Sequence, residues 1–78
     1  MPRFYLHIRD GVRIDDDDGM EFSTVEEARQ EALRAAREMV ADAVKRGEEI
    51  PANDRIIIAD AYGNSVMAVP FRDAVRFP

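Results

Sequence analysis

An α+β fold, a small antiparallel sheet of two hairpins packed on one face by a single long helix, follows from three observations. Apolar residues alternate from Phe4 to Ile8, a broad apolar stripe at helical spacing fills Thr24 to Gly47, and short apolar runs bounded by turn residues return after it. The expected order is ββ(β)αββ in one domain over residues 1–78.

In the first strand Phe4, Leu6 and Ile8 alternate with Tyr5, His7 and Arg9, which puts one face on a core and the other away from it. Asp10-Gly11 turns the chain, glycine tolerating positive φ, and Val12, Arg13 and Ile14 form a short second strand. Asp15 to Asp18 and Gly19 read as a solvated turn tip, and Met20-Glu21-Phe22 as a very short third strand leading to the helix. At the helix start, Ser23 and Thr24 each have a glutamate three residues on, Glu26 and Glu27, as a capping box requires, and only one of the two can be the cap. Glu26, Glu27 and Glu31 lie near the positive end of the helix dipole; Lys45 and Arg46 lie at its negative end, before a glycine stop at Gly47. At about 100° per residue, Val25, Ala28, Ala32, Leu33, Ala35, Ala36, Met39, Val40, Ala43 and Val44 share one side, whose alanines let a sheet approach closely. Opposite them, Glu31–Arg34, Arg34–Glu38 and Asp42–Arg46 can pair in solvent.

After a loop containing Pro51 and Asn53, Arg55 to Ala59 reads as a buried strand. Asp60 and Tyr62-Gly63-Asn64 make a turn, and Ser65 to Val69 returns as a strand ended by Pro70. Two mismatches then bear on function. A helix of about 22 residues is about 33 Å long, more than strands of five to seven residues can cover, so its last turns overhang. Ile56, Ile57 and Ile58, and Val66 to Val69, are apolar at every position, the mark of strands buried on both faces. One helix covers one face, so the other calls for the tail from Phe71 to Phe77 or a second chain.

At 78 residues the core is small, and the absence of cysteine removes disulfides, thiol chemistry and cysteine-based metal sites. Stability then rests on packing or association, and a homodimer is the expected state. No apolar run reaches bilayer length and no signal-peptide pattern opens the chain, so a cytoplasmic protein without membrane contact is expected. The net charge of −5, with basic residues scattered among acids, argues against a large nucleic-acid footprint.

No catalytic, cofactor or metal site is expected. An EF-hand register ending its turn at Gly19 would put the first ligand at Ile14 and the last at Val25; Asp16 and Asp18 fit, and those two do not. His7, the only histidine, lacks a cysteine or second histidine as partner for zinc, and belongs on the non-core face of the first strand, where it would make association pH-dependent. Arg29 falls inside the apolar arc and calls for a carboxylate, with Asp60 and Glu21 as candidates. No serine sits in a nucleophile elbow and no glycine-rich phosphate loop is present.

The run Pro2-Arg3-Phe4-Tyr5-Leu6-His7-Ile8-Arg9-Asp10-Gly11, the acidic stretch with Gly19, Glu27-Ala28-Arg29 to Ala32, Ile56-Ile57-Ile58, Asp60 with Gly63, and Val69-Pro70-Phe71 together resemble a bacterial family. It is the one catalogued as domain of unknown function 6894, and the likeness covers nearly the whole chain. It implies a stand-alone cytoplasmic protein and brings no catalytic residues. Thr24-Val25-Glu26-Glu27-Ala28 is also similar to the helix opening of HicB-type antitoxin modules, without their appended DNA-binding domain. Two functions follow as expectations. The first is a non-enzymatic, self-associating interaction or regulatory module with a protein partner, its candidate surface being Tyr5, His7, Arg9, Ile57, Met67, Phe71 and Val44. The alternative is an RNA-related or toxin-neutralising module, which needs Arg3, Arg9 and Arg13 on one surface with Tyr5 free to stack.

Overall fold

The computed structural model describes residues 1–51 and 53–75. Its elements are β1 (Arg3–Arg9), β2 (Arg13–Ile14), β3 (Met20–Glu21), α1 (Val25–Lys45), β4 (Arg55–Ala59), β5 (Ser65–Pro70) and a short 3-10 helix, Phe71–Ala74. The strands form one antiparallel sheet in the order β2-β1-β4-β5, with β3 also on β1, so the α+β class and the ββ(β)αββ order both hold. None of the described helices is long and apolar enough to cross a membrane.

The register fixes which groups face where. β1 meets β4 over Tyr5↔Ala59 to Arg9↔Arg55, and Phe71 N–H donates to Asp54 C=O at 3.0 Å, which sets the phase of the β4–β5 ladder. With the alternation of antiparallel pairing, the amides of Phe4, Leu6 and Ile8 then point away from β4. Ile8 pairs with Ile14 of β2 and Phe4 with Met20 of β3, so both short strands share the far edge of β1. Leu6 lies between them, and its N–H donates to the Asp16 carboxylate at 3.2 Å.

Thr24 is the helix cap: its hydroxyl accepts from Glu27 N–H at 3.2 Å, while the Glu27 carboxylate accepts from Ser23 N–H at 3.0 Å. At the other end Gly47, at φ +71°, donates to Val44 C=O at 3.0 Å, and Glu48 N–H reaches Ala43 C=O at 2.9 Å. This pair of bonds satisfies carbonyls that the helix itself leaves free. On the solvent side Arg34 pairs with Glu31 and Glu38 as the spacing requires, whereas Arg46 turns to Glu48 instead of Asp42.

The core lies between α1 and one sheet face. Ala28, Ala32 and Ala36 are fully buried against Ile56 and Ile58, with Phe4, Phe22, Leu33, Val40 and Val69 around them. Three expectations are corrected here. Arg29 does not reach Asp60 or Glu21; it turns along the helix surface to Glu26 at 3.5 Å, since a partly exposed position lets the guanidinium keep its water. β4 and β5 are not buried on both faces: Ile57 is half-buried, Ala68 exposed and Val66 45% exposed, because the described residues form only one covering layer. The described part of the tail, residues 71–75, does not supply the second layer. Phe71 and Ala74 join the core on the helix side, beneath the helix overhang, and Arg37 Nε donates to Ala74 C=O at 2.9 Å. Phe77, the far end of that expected tail, lies outside the described residues.

Candidate interaction interface

The sheet face turned away from α1 is built by alternation along β1. Phe4, Leu6 and Ile8 go to the core, so Arg3, Tyr5, His7 and Arg9 go to the opposite side. Pairing then adds neighbours: Ile57 opposite His7, Ala68 opposite Ile57, and Arg55 and Arg13 on either side of Arg9. The register Arg13↔Arg9↔Arg55 is a row of three guanidinium-bearing positions on three adjacent strands, about 5 Å apart. Beside it lies an open depression of about 480 Å³, lined by His7, Arg9, Arg13, Asp15, Asp17, Arg55, Ile57, Gly63 and Ser65.

The acidic run folds over the edge of this face. Asp15 Oδ1 lies 2.9 Å from Arg9 Nη2, 3.5 Å from Arg13 Nε and 3.8 Å from His7 Nδ1. The hydrogen bond from Arg9 holds the Asp15 carboxyl below its ordinary range, with the Arg13 and Arg9 charges adding to it against some loss of solvation. Asp16 is pulled two ways. Burial alone would raise its carboxyl, but the N–H groups of Gly19, Leu6 and Asp18, with His7 nearby, keep it below the ordinary value. His7 Nδ1 accepts from Asp16 N–H at 3.0 Å, which makes the ring part of the loop anchor. Tyr5 and His7 stack, with centroids 6.4 Å apart and planes within 10°. Gly19 lies directly under the Tyr5 ring, where a Cβ would come within 2.7 Å of Cε2. The expected solvated turn tip is thus half right: Asp17 and Asp18 are exposed, while Asp15 and Asp16 each hold specific partners.

A second feature sits on the helix side, at the end of β1. Asp10, Asp42, Glu48, Glu49 and Asp54 surround a cleft of about 330 Å³ floored by Met39, Val40, Ile50 and Phe71. Asp10 Oδ1 is buried without a hydrogen-bond partner among the described residues. Burial, and then the Asp10 charge, raise the Asp54 carboxyl above its ordinary value. Among the described residues no group of three or more His, Asp or Glu is placed to hold a metal ion.

Of the residues expected at an interface, Tyr5, His7, Arg9 and Ile57 come together on the outward face. Three others do not join them. Met67 pairs with Ile58 and packs on the helix side, and Phe71 is 3% exposed, because alternation and the turn after Pro70 send both inward. Val44 is 62% exposed but sits on the last turn of α1, away from the sheet face. Arg55 and Asp15 were missed as members of the surface. The alternation of β4 already sends Arg55 to the side of Ile57, but its place beside Arg9 depends on strand order, which carries no local signal. No curated protein and no solved structure matches the chain. The family model described as Domain of unknown function (DUF6894) matches residues 3–72, and with its strands, helix and outward face inside that span the chain belongs to this family.

Proposed function

We propose that the chain is a non-enzymatic, cytoplasmic interaction module whose outward sheet face recognises another protein. One observation carries the reading: the tail packs under α1, leaving Tyr5, His7, Ile57 and the arginine row uncovered among the described residues. A half-polar face that keeps apolar Ile57 and Ala68 beside stacked aromatic and arginine side chains has the make-up of a recognition surface, where aromatic residues and arginine are enriched. Self-association about a two-fold axis through the arginine row would set the row against its own copy, and a different, acidic surface suits it better.

The test is capture from an extract of the producing cells, with and without nuclease, using the wild type, Ile57→Asp and Val44→Asp. A nuclease-resistant protein partner lost with Ile57→Asp and kept with Val44→Asp supports the reading; equal capture by all three overturns it.

One observation favours the RNA-related or toxin-neutralising alternative, namely that Arg3, Tyr5, Arg9 and Arg13 share the outward face. Against it, Tyr5 is already stacked on His7 and closed from below by Gly19, and Arg3 and Arg9 are paired with Glu21 and Asp15. Salt-dependent RNA binding lost on replacing Arg13 would decide for it.

A further inference from the structure

Asp15 is the only carboxylate that the described residues place against the arginine row, and it contacts two of its three members together with His7. Arg9 is well covered by this contact, at 21% side-chain exposure, while Arg13 is 75% exposed and Arg55 is exposed, its Nη1 donating to Asn53 C=O at 3.0 Å. The row therefore holds more positive charge than its single internal carboxylate neutralises. The position of that carboxylate marks where an anion sits when it bridges neighbouring guanidinium groups.

We propose that the outward face binds an acidic segment of a partner protein, and that Asp15 occupies the place of one partner carboxylate until the segment displaces it. This rests on the interaction reading above. A short acidic peptide suits the row better than a nucleic acid for two reasons. The row is short, spanning only three strands, and a continuous phosphate backbone running past it would meet Asp17, which lines the depression beside it. In addition, the depression beside the row has Ile57 in its lining, which can take the aliphatic part of a glutamate or a neighbouring apolar residue.

The probe is a blocked hexaglutamate peptide titrated into the intact chain at low ionic strength, followed by amide and arginine side-chain NMR shifts. Saturable shifts are expected at Arg9, Arg13, Arg55 and Asp15, with little change on the solvent face of α1. Asp15→Asn removes the internal competitor and is expected to tighten binding about threefold. Arg13→Ala combined with Arg55→Ala, both exposed and absent from the core, is expected to abolish the shifts, which keeps the test independent of the loop. Unchanged or weaker binding by Asp15→Asn, with the Leu6 and Gly19 amides showing the loop still anchored, overturns the proposal. So does tighter binding of a uridine hexanucleotide than of the peptide, or self-association that excludes the peptide. If hexaglutamate leaves the face untouched while Ile57→Asp still abolishes partner capture, the acidic-segment inference fails and the interaction reading stands.

Discussion

Asp16 holds β1 at the one place on its free edge where no strand can. β2 ends at Ile14 and β3 begins at Met20, so Leu6 N–H between them would face solvent without the Asp16 carboxylate, which also accepts from Asp18 and Gly19. Its folded acidity lies below the ordinary value, so the stabilisation is complete above the carboxylate range and disappears as pH falls through the folded value. Asp16→Ala is expected to lose about 1–2 kcal/mol at neutral pH and nearly nothing in strong acid, compared by urea unfolding at the two pH values. Asp54 works in the opposite sense. Its carboxyl is raised by burial and by Asp10, so the folded chain disfavours the charged form, and the resulting penalty grows as pH rises through the folded value. Asp54→Asn is expected to stabilise by about 0.5 kcal/mol or less at neutral pH, the gain vanishing in acid, and a loss of stability at neutral pH would refute the account.

At the scale of elements, two glycines separate backbone strain from crowding. Gly47 and Gly19 both have positive φ, but a Cβ at Gly47 meets nothing within 4 Å, whereas one at Gly19 collides with Tyr5. Gly47→Ala is expected to cost about 1 kcal/mol, through αL strain alone, and to leave the sheet spectrum unchanged. Gly19→Ala is expected to cost more and to move the Tyr5 and His7 ring resonances, because the stack has to shift. The helix bounds were legible in the sequence because capping is local chemistry: Thr24, Glu27 and Gly47 identify both ends without reference to the rest of the chain. β1 was legible from alternation, and β4 and β5 from apolar runs bounded by turn residues, for the same reason. What could not be read was long-range. The direction of Arg29 depended on how far α1 is covered at its first turns, and the inward turn of Phe71 on which face the chain takes after Pro70. The likeness of Arg55 and Arg9 as neighbours needed the β1–β4 pairing, which spans the whole helix in sequence.

The whole molecule is asymmetric in both polarity and charge. Among the described residues, all thirteen buried apolar ones serve the layer between α1 and the sheet or its margins, and no polar or charged residue is buried as a whole, so stability and recognition draw on different faces. The net charge is −5, yet Arg3, Arg9, Arg13 and Arg55 gather on the outward face while an acidic cleft lies at the helix C-terminus. Phe71 and Ile57 test this division because both come from apolar runs near the end of the chain and were expected on one surface. Phe71→Ala empties part of the core and is expected to cost about 3–5 kcal/mol, comparable with the whole stability of a small domain, so the variant is largely unfolded at room temperature. Ile57→Asp changes a half-buried side chain opposite His7 and two residues along β4 from Arg55 on the outward face, where the new carboxylate has cations in reach. It is expected to keep a cooperative transition, with the larger effect falling on partner capture. Circular-dichroism melts of the two variants measure the difference. If Ile57→Asp unfolds as readily as Phe71→Ala, the outward face is a second core surface awaiting an obligate cover, and the separation of stability from recognition is wrong.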